Sequence, residues 1–347
     1  MTVEGLRILV TGGTGSLGHR IVRRLLTGEI GRPAKVTVFS RDEAKQHHMR
    51  LAYLRRTAAT DEVIYQNSRD LLSFRIGDVR DYSALTAAVR EADLVVHAAA
   101  LKQVPTCEYF PYEAVQTNVM GAVNLVRAVR EAGTSVHTVV GISTDKACKP
   151  VNVMGMTKAI MERVLVEANL ECPRTRFLGV RYGNVIASRG SVVPLFLDQI
   201  AAGGPITVTL AEMTRFLLSL DGAVDTVFAA LAEGQAGEIY VPRLPAARVA
   251  DIARVLVAGR DIPIVCVGIR PGEKIHEIMV SEEECHHTFA RGDYYVIAPT
   301  IPELRTVTDS PALASEYSSG DVTLDDEGLR ELLAPYLAGS TFEDVPA

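Results

Sequence analysis

The sequence predicts a doubly wound α/β fold, in which helices cover both faces of a parallel sheet. The first half of the 347-residue chain alternates short apolar runs with helix-like stretches. Strands separated by helices of this length imply right-handed crossovers between parallel strands. A glycine-rich turn also follows the first apolar run directly and opens a helical stretch. That order is typical of sheets that bind a dinucleotide.

The elements of the first half can be placed in chain order. The run at 6–10 is a short buried strand, and residues 35–39 alternate apolar and polar side chains as a second strand. Strand-like composition and helical spacing predict the remaining elements. Further strands are expected at 72–76, 94–98, 137–142 and 176–180, and helices at 18–26, 82–90, 114–132 and 157–167.

The second half is less regular and predicts a smaller lobe. Its expected elements are a helix at 216–232, a strand at 238–241, a helix at 252–256, a strand at 265–267 and a short helix at 327–337. We expect a main dinucleotide-binding domain, a substrate-binding lobe and a polar tail. The domain would comprise residues 1–182 and about 216–243, the lobe 183–215 and 244–300, and the C-terminal tail 301–347.

Composition excludes several classes of function. The net charge of −6 argues against a nucleic-acid partner, and no apolar run reaches the roughly 20 residues of a membrane helix. The N-terminus lacks the charged and apolar regions of a signal peptide, and the five cysteines are scattered. These features predict a reduced cytoplasmic protein. The adjacent histidines at 47–48 and 286–287 do not predict a metal site, because neighbouring side chains point in different directions.

The glycine-rich turn is the first candidate binding site. Gly12, Gly15 and Gly18 are spaced three residues apart between the first strand and its helix. Glycine lets the backbone N–H groups approach a pyrophosphate, and the helix N-terminus stabilises its charge. This turn therefore predicts a dinucleotide site.

The end of the second strand bears on which dinucleotide binds. Ser40 and Arg41 offer a hydroxyl and a guanidinium, which suit the 2′-phosphate of NADP. Asp42 leaves NAD open, because an acidic residue there can hold the ribose 2′-hydroxyl. Asp78, after the third strand, could hold the adenine, although an aspartate that only forms a turn is a serious alternative.

A polar segment at the end of the fifth strand is the candidate catalytic site. Ser143, Thr144, Asp145 and Lys146 follow an apolar run, and open α/β sheets bind ligands at that edge. Helix capping and a solvated ion pair are simpler interpretations of the segment. Neither explains Lys158, which lies twelve residues further on in a helical stretch.

These motifs carry a resemblance that covers the chain up to about residue 284. The chain resembles the extended short-chain dehydrogenase/reductases, which have a Rossmann fold. Within them it looks like the UDP-N-acetylglucosamine 4,6-dehydratases of polysaccharide biosynthesis. The matching stretches are residues 11–18, 39–43, LKQVP within 100–105, 117–119, STDK within 143–158, RYGNV within 181–194, 213–216, and RPGEK at 270–274.

The resemblance implies roles at the matching positions. Thr144 should hydrogen-bond the sugar near its 4-hydroxyl, Asp145 should protonate the departing 6-hydroxyl, and Lys146 should take the proton from C5. Lys158 should hold the nicotinamide ribose, and Asn118 should support the active-site helix. The expected NADP-binding residues are Gly12, Thr14, Gly15, Ser16, Leu17, Gly18, Ser40, Arg41, Asp78, Val79, Ala98, Ala99, Ala100, Lys102, Asn118 and Lys158. The expected substrate-binding residues are Lys102, Arg181, Asn184, Val193, Thr214, Arg215, Arg270 and Glu273.

One position departs from the superfamily pattern Tyr-x-x-x-Lys. Met154 stands where the tyrosine is expected, and a thioether cannot take the proton of the 4-hydroxyl. Some members of the dehydratase subfamily share this methionine. Lys146, Asp145 or an ordered water could be the base instead, and Met154 remains among the expected catalytic residues.

The implied reaction is an NADP-dependent 4,6-dehydration of UDP-N-acetylglucosamine, with C5 inversion favoured by the resemblance. It requires Asp145 to be protonated and Lys146 to be neutral, so we expect burial to raise the pKa of the first and lower that of the second. The alternatives are a nucleotide-sugar 4-epimerase, a C5-retaining dehydratase and a non-catalytic NADP-binding protein. The resemblance further implies a homo-oligomer, either a dimer or a hexamer.

Overall fold

The structure is a computed structural model that describes residues 2–54, 71–131, 135–186, 191–305 and 310–337. Part of the predicted lobe, at 187–190, lies outside the described residues. So do parts of the predicted tail, at 306–309 and 338–347.

The strands begin and end close to the predicted positions in the first half and include several unpredicted ones in the second. In chain order they are β1 (Arg7–Thr11), β2 (Lys35–Ser40), β3 (Leu72–Ile76), β4 (Leu94–His97), β5 (Thr138–Ile142), β6 (Arg176–Val180), β7 (Asn184–Val185), β8 (Ile206–Val208), β9 (Thr214–Leu218), β10 (Ile239–Pro242), β11 (Ala246–Arg248), β12 (Ile264–Cys266), β13 (Ile278–Val280), β14 (Thr288–Arg291), β15 (Tyr294–Ile297) and β16 (Tyr317–Ser318).

The helices alternate with these strands. In chain order they are α1 (Ser16–Leu26), α2 (Glu43–Leu54), α3 (Tyr82–Val89), α4 (Val104–Tyr109), α5 (Pro111–Ala114), α6 (Gly121–Glu131), α7 (Val153–Glu171), α8 (Val192–Ala201), α9 (Leu220–Glu233), α10 (Val249–Val257), α11 (Glu282–Cys285) and α12 (Asp326–Leu337). A π-helical turn (Val115–Met120) precedes α6, and short 3₁₀ turns lie at Asp145–Ala147 and Pro302–Leu304.

A nine-stranded sheet confirms the predicted fold class. Its strand order is β14-β15-β10-β6-β5-β4-β1-β2-β3, and the pairs from β3 through β10 are parallel. The apolar residues of the central strands β1, β4 and β5 are fully or almost fully buried. Continuous apolar burial of this kind requires a cover on both faces of the sheet.

Two hydrophobic clusters provide that cover. One packs α1 and α9 against one face, with Ile21 and Val227 among its buried members. The other packs α3, α6 and α7 against the opposite face, with Leu85, Leu125 and Leu165 among its members. The sheet is therefore held between two layers of helices, as the fold class requires.

The second half returns to the main sheet more often than the sequence suggested. Helix α9 and strand β10 join the sheet near the expected position, but β9 is a strand where the start of a helix was predicted. Strands β14 and β15 also add to the sheet as antiparallel edge strands, although residues 244–300 were assigned to the lobe. Both are short, and short strands in an irregular region carry little periodic signal.

The smaller lobe gathers around a third cluster formed by α8, α10 and α12. The three-stranded sheet β11-β9-β7 connects this lobe to the main sheet. The tail contributes β16, which pairs with β13, and α12 packs through the buried Leu329 and Leu333. The part of the tail that the structure describes is thus built into the lobe.

Candidate active site

The carboxyl ends of the parallel strands meet at one edge of the sheet and open into a cleft. The cleft has a volume of about 800 Å³, and the loops after β1 through β6 line it together with parts of the smaller lobe. It brings together most of the residues predicted from the sequence. Those that line it are Gly12, Thr14, Gly15, Ser16, Leu17, Gly18, Ser40, Arg41, Asp78, Val79, Ala98, Ala99, Ala100, Lys102, Thr144, Lys146, Met154, Lys158, Asn184, Arg270 and Glu273.

The glycine-rich turn forms one end of the cleft, and its geometry requires glycine. Gly12 has a φ of +70°, and a Cβ there would lie 2.7 Å from the backbone nitrogen of Ala99. A Cβ at Gly18 would lie 2.5 Å from the carbonyl oxygen of Gly12. Helix α1 begins directly after Gly15 with no side-chain cap, so its first N–H groups have no side-chain acceptor. This turn fits a pyrophosphate.

The end of β2 presents cationic groups to the same cleft. Arg41 is exposed, and its Nη1 lies 3.7 Å from Asp78 Oδ2. Asp42 instead turns toward α2, where its Oδ1 accepts a hydrogen bond of 2.9 Å from the backbone N–H of Lys45 and its Oδ2 lies 3.0 Å from Lys45 Nζ. These contacts lower the pKa of Asp42. The carboxylate is therefore already engaged at the start of α2.

The loop after β4 is clamped to the helix that follows the catalytic segment. Asn118, fully buried in the π-helical turn, accepts a hydrogen bond from Leu101 N (2.8 Å) and donates to Leu101 O and Thr157 Oγ1 (3.0 Å each). It does not line the cleft. Asn118 can thus hold two walls of the site together, but the structure does not place its side chain against the cofactor space.

The candidate catalytic segment, residues 143–146, turns sharply after β5. Thr144 Oγ1 donates a hydrogen bond of 2.8 Å to Asp145 Oδ1, and Lys146 Nζ donates one of 3.1 Å to the same oxygen. The Asp145 side chain is 1% exposed and that of Lys146 is 21% exposed. The carboxyl group thus lies behind the ammonium group: Thr144 and Lys146 line the cleft, whereas Asp145, although predicted as catalytic, does not.

Lys146 also meets groups from the smaller lobe. Its Nζ donates to Asn184 Oδ1 (3.2 Å) and lies 3.3 Å from Glu277 Oε1. Burial lowers the pKa of Lys146, but the attraction of Asp145 and Glu277 outweighs it and leaves the pKa above the ordinary value. The sequence led us to expect a lowered pKa. That expectation was wrong for this state because the sequence does not show that Glu277 folds against the lysine.

Lys158 and Met154 lie on one face of α7 beside the segment. Lys158 Nζ donates to the carbonyl of Ile142 (2.5 Å), and burial lowers its pKa to about 8. Met154 is 5% exposed and belongs to an apolar cluster with Cys107 and Ala114. A Cβ at Gly155 would overlap the carbonyl oxygen of Lys146. Glycine therefore lets α7 approach the catalytic segment this closely.

The loop that carries the RPGEK motif forms the opposite wall. Asn152, which caps α7, donates a hydrogen bond of 2.8 Å to the carbonyl of Gly272. Lys274 Nζ donates one of 2.5 Å to the carbonyl of Cys148. These bonds hold Arg270 and Glu273 at the cleft, on the side away from the glycine-rich turn.

Arg181 is not where the resemblance led us to expect it. Its side chain is 2% exposed and forms ion pairs with Glu162 (2.6 Å) and Glu284 (2.8 Å). It also donates to the carbonyl of Met279 (2.7 Å). The structure therefore places Arg181 in a buried charge cluster rather than on the cleft, so the expectation that it contacts the substrate is corrected.

Three other expected substrate residues also do not line the cleft. Val193 is 1% exposed in the core of the smaller lobe. Thr214 Oγ1 lies within hydrogen-bonding distance of His276 Nδ1 (2.8 Å) and Ser319 Oγ (2.6 Å). Arg215 is 7% exposed and donates to the carbonyls of Thr214 and Ile275. Only the tertiary contacts distinguish these residues from those on the cleft.

Sequence reasoning missed several residues of the cleft wall. Lys45 lies in the first turn of α2, four residues beyond Arg41, and no helix was predicted there that could have identified it. Tyr182 follows β6 and also lines the cleft, as does Ser191, the residue before α8. Glu277 does not line the cleft but lies behind Lys146; it stands three residues beyond the RPGEK motif, and nothing in its local sequence predicts this contact.

The described residues contain neither a candidate metal site nor a candidate membrane-spanning helix. No group of three or more His, Cys, Asp or Glu side chains there is placed to hold a metal ion. No helix in that part of the chain is long and apolar enough to span a bilayer.

Comparison with known proteins identifies related sequences and structures. A family model described as "Polysaccharide biosynthesis protein" matches residues 8–299. A Rickettsia canadensis protein named UDP-glucose 4-epimerase is 44% identical over 295 residues, which cover 84% of this chain and 82% of that protein. A Campylobacter jejuni protein named UDP-N-acetylglucosamine 4,6-dehydratase (inverting) is 41% identical over 301 residues, covering 86% of this chain and 84% of that protein.

A solved structure agrees with the fold over almost the whole chain. Pen from Bacillus thuringiensis is 32% identical in sequence and superposes with a TM-score of 0.85, covering 97% of this chain and 99% of Pen. The likeness therefore includes the smaller lobe as well as the main sheet.

The buried position of Arg181 leads to a prediction about stability. Arg181→Ala should lower the free energy of unfolding by about 3–5 kcal/mol, because it leaves two buried carboxylates without their cation. Denaturant unfolding measures this loss. Arg163→Ala on α7 is the control: Arg163 is exposed, so its loss should change the stability by less than about 0.5 kcal/mol. Wild-type stability combined with a raised KM in Arg181→Ala would instead return Arg181 to the substrate site.

Proposed function

The chain belongs to the polysaccharide biosynthesis protein family and is a nucleotide-sugar-modifying enzyme, and we propose that it dehydrates UDP-N-acetylglucosamine to a UDP-4-keto-6-deoxy-N-acetylhexosamine. The observation that carries this proposal is the Asp145–Lys146 pair. A carboxyl group and an amine share a hydrogen bond of 3.1 Å at the end of a central strand, and the amine faces the cleft. Elimination of water needs one acid and one base beside the same sugar.

The pair can supply both groups by an internal proton transfer. Moving one proton from Lys146 Nζ to Asp145 converts an ammonium and a carboxylate into an amine and a carboxylic acid, without a change in total charge. The amine can then remove the C5 proton while the acid protonates the hydroxyl that leaves C6. The raised pKa of Lys146 belongs to the ion-paired form, and the proton transfer gives the other form.

A nicotinamide dinucleotide supplies the redox chemistry when bound: it accepts a hydride from C4, which makes the C5 proton acidic, and returns a hydride to C6. The glycine-rich turn fits its pyrophosphate, because α1 begins there without a side-chain cap and its N-terminal N–H groups face an anion favourably. We propose that it is NADP. Arg41 and Lys45 line the cleft and provide two cations for a 2′-phosphate, while Asp42 is engaged with Lys45.

The nucleotide diphosphate is assigned to the opposite wall. Lys102 and Arg270 are exposed and line the cleft, and Asn184 and Glu273 lie beside them. Cationic side chains of this kind suit phosphate oxygens. Arg181 is left out of this proposal because its buried side chain pairs with two carboxylates.

A second candidate reaction is epimerisation at C4. Relatives named UDP-glucose 4-epimerase match this chain as closely as those named dehydratase. Epimerisation, however, needs only the hydride step and a rotation of the keto sugar, so it would not use the Asp145–Lys146 pair. We therefore favour dehydration, with C5 inversion as the expected stereochemical outcome. The homo-oligomeric state and the cytoplasmic location stay predictions.

Loss of water from the substrate tests the reaction directly. Wild-type enzyme incubated with UDP-N-acetylglucosamine and NADP should give a product lighter by one water, detected by mass spectrometry. Lys146→Ala and Asp145→Asn should each lower the rate by at least about a hundredfold, which is typical for loss of a general acid or base, and should still bind NADP. A product of unchanged mass with an inverted C4, or near wild-type turnover in either variant, would contradict the proposal.

The choice of cofactor leads to a second prediction for this site. Arg41→Ala should weaken NADP binding about ten- to hundredfold, as expected for one charge-assisted hydrogen bond, and should leave NAD binding nearly unchanged. Lys45→Ala should act in the same direction. Fluorescence titration with both cofactors measures the effect, and an equal loss for NADP and NAD would exclude contact with the 2′-phosphate.

Met154 leads to a third prediction. Met154→Tyr should slow oxidation at C4, because the larger side chain must enter the packed cluster with Cys107 and Ala114. The measurement is single-turnover NADPH formation across a range of pH in wild type and variant. A faster variant with a new dependence on pH would show that the site lacks a base and that the tyrosine restores it.

A further inference from the structure

Glu277 is a buried carboxylate beside the cleft whose position suggests a function. It lies between the RPGEK loop and β13, and its side chain is 2% exposed. Its backbone is held on both sides by the C-terminal segment: its N–H donates to Ser319 Oγ (2.9 Å), and its carbonyl accepts from Ser319 N (2.8 Å). The backbone that carries this carboxyl group is thus held in place by Ser319, about forty positions later in the chain.

The carboxyl group of Glu277 points at the catalytic lysine. Its Oε1 lies 3.3 Å from Lys146 Nζ and 3.8 Å from Arg215 Nε, and its Oε2 is buried without a hydrogen-bond partner among the described residues. Burial of an ionised carboxylate is costly unless a cation lies beside it. Lys146 and Arg215 are those cations, so Glu277 and Lys146 are electrostatically linked.

The charged groups around Lys146 come from several elements. Asp145 lies in the same 3₁₀ turn as Lys146, and Glu277 directly precedes β13. Arg215 on β9 opposes them, as does Lys274 of the RPGEK loop, whose charge interacts with that of Lys146. Two carboxylates and three cations therefore share a small buried volume. Removal of either carboxylate raises the net positive charge of this group from one to two.

We propose that Glu277 is a positioning residue for Lys146, which holds the ammonium group against the cleft and sets the pH range in which the Asp145–Lys146 pair exchanges its proton. This inference rests on the dehydration proposed above. While Asp145 holds the transferred proton, Glu277 keeps a negative charge beside Lys146. The lysine therefore stays in place as its charge changes and regains a proton readily from C5.

The proton balance of the proposed reaction closes with Glu277 ionised throughout. Elimination moves the C5 proton to the Lys146 amine and the Asp145 proton to the leaving hydroxyl, which departs as water. This step already returns Lys146 and Asp145 to their starting ion pair. As the hydride reaches C6, a proton from solvent adds to the opposite face of C5, which inverts that carbon, and the proton released from the 4-hydroxyl during oxidation at C4 balances it. Glu277 donates no proton at any step, so its contribution is positional and electrostatic.

Glu277→Gln keeps the shape of the side chain and removes its charge. We expect Lys146 to lose its proton at a pH lower by ~1 unit or more, because a nearby negative charge stabilises the ammonium form. Both limbs of the pH–rate profile should move in the same acidic direction, with kcat affected more than KM. Glu277→Asp keeps the charge and should leave the limbs near their wild-type positions at a reduced kcat.

The titration can be followed without turnover. NMR spectra of protein labelled with ¹³C at the lysine ε-carbon report each ammonium group, and the Lys146 signal is identified by its absence in Lys146→Arg. Glu238→Gln is the matched control. Glu238 is equally buried and pairs with Arg291 at 2.8 Å, but it is not among the charged groups that act on Lys146; its substitution should leave the Lys146 titration unchanged.

The outcomes separate the role of Glu277 from the proposed reaction. An unshifted Lys146 titration in folded Glu277→Gln overturns the role of Glu277, whether or not the enzyme dehydrates its substrate. A shifted titration in a protein that removes no water from UDP-N-acetylglucosamine supports the electrostatic link and overturns the proposed reaction. A reduced kcat with unmoved limbs in Glu277→Gln assigns Glu277 a structural role only and also overturns the inference.

Discussion

The contact between the Lys146 ammonium and the buried Asp145 carboxylate, at 3.1 Å, is the constraint on which the rest of the site depends. Two ionisable groups at the end of a buried strand are stable only where the surrounding groups balance their charge. The neighbouring structure meets this need. Thr144 donates to the carboxylate, Asn184 accepts from the ammonium, and Glu277 adds a second negative charge.

The same constraint explains why both the main domain and the smaller lobe contact the turn that carries Asp145 and Lys146. Two contacts hold the backbone that follows the pair. Lys274 donates a hydrogen bond to the carbonyl of Cys148, and Gly155 allows α7 to pack directly against the carbonyl of Lys146. Beneath it, Arg181 joins α7 to α11 through Glu162 and Glu284. The RYGNV motif, which the resemblance links to substrate binding, therefore stabilises the packing beneath the site. Arg181 of RYGNV holds α7 and α11 together, and Asn184, three residues later, accepts a hydrogen bond from Lys146.

The resemblance and the fold place the protein among nucleotide-sugar-modifying enzymes, but the choice of reaction depends on local chemistry. Relatives named epimerase and dehydratase are 44% and 41% identical to this chain over the aligned residues, so overall similarity does not decide between them. An acid and a base that exchange one proton are required for loss of water and not for rotation of a keto sugar. In the proposed reaction the proton of the 4-hydroxyl has to leave by a route other than tyrosine, because Met154 places a packed thioether where the superfamily pattern has a phenol.

Local sequence patterns were enough to predict the alternation of strands and helices in the first half, the glycine-rich turn and the strand end that carries Asp145 and Lys146. Each of these depends on local periodicity or on the backbone freedom of glycine, and both are visible in neighbouring residues. No local pattern predicts that β14 and β15 join the main sheet, that Arg181 lies among carboxylates or that Ser319 binds the backbone of Glu277. These outcomes depend on contacts between residues distant in the chain. The charge state of Lys146 follows from them, because Glu277, one of the two carboxylates that raise its pKa, lies far away in the sequence.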